Sequence, residues 1–422
     1  MLDALKSSLK AGDLRKRIFF TLLMFFVFRI GAHIPVPGIN AQAMEALVKG
    51  GGNILGFFDV ISGGAFKRFS IFAMSITPYI NASIIMQLLT VVIPKLEKMS
   101  KEGEEGRKKI TQYVRYATIV LGFIQSLGMA FTLKAYGALI TPGIGSYMLI
   151  AITLTAGTAF LMWLGEQITE KGIGNGISLI IFAGIVASLP GALMRIYEAL
   201  RAGAINAFSV ILLVVIAALV IAAIVAVNEG QRRIPVQYAK RVVGRRVYGG
   251  QSTHIPLKVN QAGVIPVIFA SSILLFPSTI ANFFPTSPAA QWVLRVFNWG
   301  GAAHTIFYAL FIIFFTYFYT SITFNPMDVA DNMKKYGGFI PGLRPGRPTA
   351  EYLDKILTRV TLSGAIFLAL IAILPTFVLL TTKIQNVYFG GTGLLIVVGV
   401  ALETMKQIES HLLMRHYQGF MK

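Results

Sequence analysis

One stretch of the sequence carries a dense group of positive charges that could bind phosphate. Residues Gly230 to Arg246 read GQRRIPVQYAKRVVGRR and contain no acidic residue. Lysine and arginine gain affinity for nucleic acid by neutralising phosphates, and salt weakens that binding. The segment before it, 207–229, has no charge until its last residue and suits a membrane helix. The basic residues of the stretch are Arg232, Arg233, Lys240, Arg241, Arg245 and Arg246.

Other side chains that could catalyse a reaction or bind a metal form no recognisable constellation. The five histidines are scattered without the spacing of metal ligands, and the absence of cysteine excludes thiolate and disulfide chemistry. The patterns GxxxxGK[ST] and GxSxG are missing. Residues Gly172 to Gly176, GIGNG, lack the GxGxxG spacing and predict a tight turn into a membrane span. We therefore predict no enzyme, no cofactor and no metal site.

Charged groups inside the predicted membrane segments are scarce. Glu166, Glu229 and Glu403 fall at segment ends, which argues against proton coupling and against a charged substrate at the midplane. The segments carry Ser, Thr, Asn, Gln and Gly instead, as in SITPYINAS (75–83) and FIQS (123–126). Such groups suit an interior that opens, or else ordinary interhelical hydrogen bonds of about 0.6 kcal/mol each.

The elements that position these residues are membrane helices. Of 422 residues, 55% are hydrophobic and 13% are charged, against about 25% charged in soluble domains. A helical crossing needs roughly 20 apolar residues, and lipid tolerates only helices or closed barrels. We predict an all-α membrane protein with ten spans near 18–32, 70–93, 111–132, 146–165, 177–193, 207–228, 261–281, 303–323, 358–380 and 388–405.

The distribution of positive charge orients these spans. The net charge is +20, and roughly three quarters of the 38 lysines and arginines fall on one side of the predicted topology. That side is cytoplasmic by the positive-inside rule and holds both termini and the loops 95–110, 230–260 and 325–357. No cleavable signal peptide is expected. Five spans in each half, 1–195 and 196–422, must run in opposite directions, as in many transport proteins.

Two loops have unusual compositions. Residues 54–62, ILGFFDVIS, are apolar, too short to cross, and flanked by glycines, so they predict a re-entrant segment or a short covering helix. Residues 337–353, GGFIPGLRPGRPTAEYL, are rich in glycine and proline and predict a rigid turn.

Five long motifs occur in order along the chain and resemble the bacterial SecY (SecY/Sec61-alpha) family of protein-translocation channels. The motifs are FRIGAHIPVPGI (28–39), FLMWLGEQITEKGIGNGIS (160–178), QRRIPVQYAKR (231–241), STHIPLKVNQAGVIPVIFASS (252–272) and GGFIPGLRPGRPTAEYLDKILTR (337–359). The resemblance implies two inverted halves around an hourglass pore, hinged on the outside between spans five and six. It also implies a bacterial cytoplasmic-membrane location.

The resemblance further implies a ring of apolar side chains at the waist of the pore. By motif, the ring falls on Ile76, Ile80, Ile177, Ile181, Ile268 and Ile396. Two of its pairs are four residues apart, which places each pair on one helix face. Branched apolar side chains can close around an extended chain and resist wetting when the pore is empty.

The same resemblance assigns a plug and a lateral gate. The plug corresponds to about 54–68, with apolar members Ile54, Leu55, Phe57, Phe58, Val60 and Ile61. The lateral gate would lie between spans 2–3 and 7–8, with polar members Asn81, Gln125 and Asn260. Through it, signal peptides and nascent chains would reach membrane lipid.

The basic loops correspond to family docking surfaces for the ribosome, including its RNA, and for the SecA ATPase. The six basic residues of 230–246 and Arg344, within PGLRPG, would make these contacts. Positive-inside residues that only fix topology would explain some of these charges. The family also implies the small membrane subunits SecE and SecG as partners. The main alternative is a secondary transporter for a small apolar solute, which would need a compact site and no large docking loops.

Overall fold

The computed structural model describes most of the chain. The described residues are 12–40, 42–44, 59–203, 205–238, 241–243, 246–248, 252–281, 284, 287–297, 301–382 and 391–420. Within them the protein is mostly helical, with a few short strands on one side. Residues Ile54, Leu55, Phe57 and Phe58 of the predicted plug, and the basic residues Lys240 and Arg245, lie outside the described part.

Each of the ten predicted spans coincides with a helix. These helices are α1 (Gly12–Gly31), α2 (Thr77–Val92), α4 (Glu104–Ala135), α5 (Ile144–Lys171), α6 (Gly176–Arg201), α7 (Ala207–Glu229), α8 (Ile265–Ala281), α10 (Ala302–Thr323), α12 (Arg347–Thr382) and α13 (Gly391–Phe420). Among the described residues, six helices are individually long and apolar enough to cross a membrane. A seventh candidate is α2 together with α3 (Pro94–Lys101), which are bent by 101° relative to each other. The chain is therefore a multi-span helical membrane protein.

The second span is shorter than predicted. The sequence predicted 70–93, whereas α2 begins at Thr77, after turns in which Phe69 and Ser75 have φ values of 45° and 53°. Left-handed backbone at such residues interrupts a helix, although the segment 70–76 is mostly apolar. The amide of Val36 bonds the carbonyl of Phe69 at 2.9 Å. This turn thus ties the end of α1 to the start of α2.

Among the described residues, three helices of eight to ten residues lie outside the predicted spans. Besides α3 they are α9 (Pro288–Val296) and α11 (Pro326–Lys335). All three have proline in the first turn, where its missing N–H costs no hydrogen bond. The Asn325 side chain accepts from the Met327 amide at 3.1 Å and so caps α11.

Strands occur in the two loops that were predicted to be cytoplasmic. Gln231–Tyr238 (β1) and Ser252–Lys258 (β4) pair antiparallel, with Gln231 opposite Lys258. Arg241–Val243 (β2) and Arg246–Tyr248 (β3) form a second antiparallel pair. Gly338–Phe339 (β5) adds to the free edge of β1, with Gln237 opposite Phe339. The sheet order is therefore β4-β1-β5, and it joins the loop before α8 to the loop before α12.

The main hydrophobic core lies among the spans, while several outer faces remain exposed and apolar. In α7 only Val220 and Ile224 are buried. Exposed apolar side chains such as Phe208 and Leu219 on that helix match a surface that meets lipid. The interior core joins residues from both groups of five spans, so the candidate pore residues are found there.

Candidate functional site

The six isoleucines predicted to form a ring lie in one apolar cluster. They come from four elements, the start of α2 and the helices α6, α8 and α13, and the cluster contains Ile76, Ile80, Ile177, Ile181, Ile268 and Ile396. All are buried except Ile177, which is half-buried. Four elements thus contribute the same branched side-chain type to one continuous apolar core. This arrangement can form a dry constriction.

A cavity of about 730 Å³ opens directly beside this cluster. Its floor includes Ile80, Ile177, Ile181 and Ile268. Its upper wall is polar and lies where α4 begins and α5 ends, the side predicted to be cytoplasmic, and it includes Gln87, Thr111, Arg115, Glu166 and Glu170. The cavity is therefore a funnel with a wet mouth and an apolar floor.

An ion pair fixes part of the cavity wall. Arg115 of α4 donates through Nε to Glu166 Oε1 and through Nη2 to Glu166 Oε2, both at 2.8 Å. Bidentate geometry of this kind is among the stronger charge-assisted arrangements, and here it joins two neighbouring helices. Sequence reasoning placed Glu166 at a span end without its partner. The opposite charges at matching ends of α4 and α5 are the signal that could have found the pair.

The described part of the predicted plug begins at Asp59 and lies against the ring cluster. Val60 and Ile61 pack on that cluster. The Asp59 carboxylate accepts from the Lys67 amide at 2.7 Å, and its carbonyl accepts from the Gly64 amide at 2.8 Å. Burial raises the pKa of Asp59 above its usual value, against the lowering effect of these partners and nearby cations. The segment is thus held by its own internal bonds.

Two glycines bring the plug segment against α6. Gly63 has φ +67°, and a Cβ added there would lie 3.0 Å from the Cα of Gly184. A Cβ added to Gly184 would overlap the carbonyl oxygen of Ile61 and lie 3.3 Å from the Gly63 amide nitrogen. Arg29 of α1 also donates through Nη1 to the Gly63 carbonyl at 2.6 Å. Close backbone approach and one charged donor therefore seat this segment.

Replacing Gly184 with alanine should unseat the plug segment and raise the resting ion conductance of the chain in a bilayer. The added methyl overlaps backbone atoms that cannot move away cheaply, and overpacking typically costs about 1–3 kcal/mol. The matched control is Gly191→Ala in the same helix, where no atom lies within 4 Å of the new Cβ. Single-channel recording measures the effect. Equal conductance for the two variants would contradict the proposed close contact.

The structure buries the three predicted gate residues but does not bond Asn260 across the seam. Asn81 and Gln125 are buried on α2 and α4. Asn260, just before α8, donates to Asn228 Oδ1 at 2.8 Å and to the Gly263 carbonyl at 3.0 Å. Both partners belong to the last five spans. α8 contacts α2 and α4, so the two groups of five spans meet along helices between which the resemblance places the gate.

The two candidate docking loops fold into one small unit on the side predicted to be cytoplasmic. The β4-β1-β5 sheet covers a core of its own, separate from the core among the spans. Side chains from both loops and from α11 and α12 share it, including Ile234, Val236, Leu257, Met333, Ile340 and Leu353. Sequence reasoning treated the loops as separate. Only the pairing of β5 with β1 reveals their union.

The basic side chains of this unit point outward where they are described. Arg232 and Arg233 are exposed at the base of the β1–β4 hairpin. Arg241 lies in β2 and Arg246 lies in β3. Along the chain, these two strands come between β1 and β4. Arg344 is exposed on a turn between Gly342 and Gly346, whose φ values are +84° and +103°.

The turn that carries Arg344 is closed by a hydrogen bond. Thr349 Oγ1 donates to the Arg344 carbonyl at 2.8 Å, and the Leu343 amide donates to the Ile340 carbonyl at 3.0 Å. The predicted rigid turn is therefore present, with its arginine side chain facing solvent.

Comparison with known proteins assigns the chain to a family. A family model described as SecY matches residues 70–405. The protein translocase subunit SecY of Halalkalibacterium halodurans is 52% identical to this chain over an alignment of 432 residues. The alignment covers 100% of both sequences. A solved protein-conducting channel has a TM-score of 0.67 at 20% identity, covering 94% of this chain and 92% of that one.

A second solved structure, Sec61 in the canine ribosome-channel complex from the endoplasmic reticulum, has a TM-score of 0.63 at 19% identity. The superposition covers 94% of this chain and 92% of the canine chain. These two likenesses support the fold of ten helices around a central cluster. The match of the family model and the full-length relative goes further, and on their basis the chain belongs to the SecY family.

Proposed function

We propose that the chain is the pore-forming subunit of a protein-conducting channel in the bacterial cytoplasmic membrane. Unfolded polypeptides would cross through it, and transmembrane segments would leave it sideways into lipid. One observation carries this proposal: the six isoleucines share one apolar cluster, and four of them, from α2, α6 and α8, line the apolar floor of a polar-mouthed cavity. A ring of that kind can seal an empty pore and yield around a moving chain.

The halves 1–195 and 196–422 would then part to open the channel. Parting separates the isoleucines contributed by α2 and α6 from those contributed by α8 and α13, which widens the ring. The plug segment from Asp59 onward would leave its seat at Gly184 at the same time. The seam between α2 and α8, with Asn81, Gln125 and Asn260 nearby, supplies the lateral exit. Interhelical hydrogen bonds contribute only about 0.6 kcal/mol each, so polar groups at such a seam separate at low cost.

Partners supply the driving energy in this proposal, because the pore itself only conducts. The solved canine channel is described as part of a ribosome complex, which supports the ribosome as one partner. The exposed Arg232, Arg233 and Arg344 suit ribosomal RNA or an acidic face of the SecA ATPase. SecE and SecG are the expected small companion subunits. Both termini would face the cytoplasm, in agreement with the charge distribution.

The proposal is tested by reconstituting the purified chain, with the small subunits that copurify, into proteoliposomes. Added SecA, ATP and a precursor with a signal sequence should produce protease-protected precursor inside the vesicles. Omission of ATP, or a precursor without its signal, is the control. A channel that protects no precursor in the complete mixture, while taking up a small apolar solute without partners, would favour the transporter alternative instead.

A further inference from the structure

The loop GIGNG (Gly172 to Gly176) does more than turn the chain from α5 into α6. It lies against the cytoplasmic end of α13, which belongs to the other group of five spans. The Gly174 amide donates to Gln407 Oε1 at 2.8 Å, and 233 positions separate the two residues. One backbone N–H thus bridges the two groups of spans at a contact distinct from the α2–α8 seam.

Glycine is required in this loop because the surrounding backbone and side chains approach it closely. Gly174 has φ +87°, a conformation that side chains disfavour, and a Cβ there would lie 3.2 Å from Thr404 Oγ1. A Cβ on Gly172 would lie 2.5 Å from Thr21 Oγ1. The loop is therefore fitted between α1 on one side and α13 on the other.

The first five spans hold the loop firmly on their side. Thr21 Oγ1 of α1 accepts from the Ile173 amide at 3.2 Å, and Arg17 donates to the Gly172 carbonyl at 3.3 Å. The Asn175 side chain accepts from the amides at the start of α6. The loop cannot follow α13 without breaking these bonds.

Three consecutive residues at the cytoplasmic end of α13 contact three different elements. Lys406 pairs with Glu229 at the end of α7 at 2.8 Å, which anchors α13 among the last five spans. Gln407 accepts from the loop, and Ile408 is buried in a small cluster with Leu14 and Ile173. The end of α13 is thus fixed to its own group of spans and also joined to the other.

We propose that Gln407 is a positioning residue: by holding the Gly172–Gly176 loop, it keeps the α6–α13 seam shut at the cytoplasmic face. Opening is thereby directed to the α2–α8 seam. This inference rests on the proposed channel function. The hydrogen bond between Gly174 and Gln407 holds the two halves together at this point, so they rotate about it when the channel opens. The apolar contact of Ile408 with Ile173 closes the same seam.

Replacing Gln407 with leucine should remove this hydrogen bond and raise export of a precursor with a defective signal about two- to tenfold, the factor expected for one typical hydrogen bond. Gln407→Glu keeps an acceptor for the Gly174 amide and should restore wild-type discrimination. Rescue by glutamate separates positioning from packing, because both replacements have nearly the same volume. Wild-type discrimination in Gln407→Leu, or equal leakiness in both variants, would overturn the proposal.

A cross-link gives the second test. The chain has no cysteine of its own, so the reagent reacts only with the introduced cysteines. Ile173→Cys and Ile408→Cys are joined by a short bismaleimide, and translocation is compared with the same variant left untreated and with each single variant treated alike. If the α6–α13 seam stays closed, the two cysteines should cross-link fully in the resting channel and translocation should be unchanged. Loss of translocation only in the cross-linked double variant, or no cross-linking at all, overturns the proposal. Failure of the untreated chain to translocate would instead count against the channel function itself.

Discussion

Replacing Ile268 with asparagine should make the resting channel leak ions and should allow export of precursors with defective signals. Ile268 is buried in the ring cluster with isoleucines from three other elements. An amide buried there without a partner costs about 1–3 kcal/mol in the closed state, and wetting removes that cost. The ratio of open to closed channels should therefore rise about 5- to 150-fold.

Ile80→Asn should act in the same direction because it enters the ring from α2. Ile268→Val is the matched control, since it keeps a branched apolar side chain and removes one methylene. Planar-bilayer conductance and export of a signal-defective reporter provide independent readouts. If both asparagine variants match the valine control in both readouts, the cluster is ordinary packing and the constriction lies elsewhere.

Reversing the charge of Arg344 should reduce SecA-driven translocation by about tenfold or more. Arg344 is exposed on a glycine-bounded turn, so its replacement disturbs little of the fold. Like charges brought together in an interface cost several kcal/mol, which is enough for this loss against an acidic or phosphate-rich partner. The measurement is ATP-dependent precursor protection in inverted vesicles at matched amounts of channel.

The control for this prediction lies three residues away. Arg347 is also exposed and pairs with Glu351 at 3.1 Å across one helical turn. Exposed pairs of this kind contribute little, so Arg347→Glu should fold and translocate nearly normally. The hairpin arginines should weaken ribosome binding more gradually, and that binding should fall with salt. Normal translocation by Arg344→Glu would leave this charge with only a role in topology.

Sequence patterns predicted the helices well because membrane crossing constrains composition over long stretches. The start of α2 was wrong because hydrophobicity cannot distinguish a buried turn from a helix. Residues 70–76 are mostly apolar, but the positive φ of Phe69 and Ser75 breaks the helix there. The short helix α9 was missed for a related reason, since nine amphipathic residues do not resemble a span.

The candidate site was predictable in part. Isoleucines four residues apart on α2 and α6 indicated one face each, while their meeting with Ile268 and Ile396 required family resemblance. Contacts between distant positions left no local pattern in the sequence. Gly174 with Gln407 is such a pair. Asn260 was assigned to the gate by its position in the family motif, and its hydrogen-bond partners lie within its own group of spans.

The pairing of β5 with β1 has a consequence for how the surface formed by the two candidate docking loops responds to damage. Stability is distributed in contiguous cooperative units, and both docking loops share one sheet and one core. Their backbone amides should therefore exchange with solvent in a single opening event. A destabilising change in this shared core would remove both loops together and leave the membrane helices folded. Genetic maps based on sequence position would then score one cooperative failure as the loss of two separate binding sites.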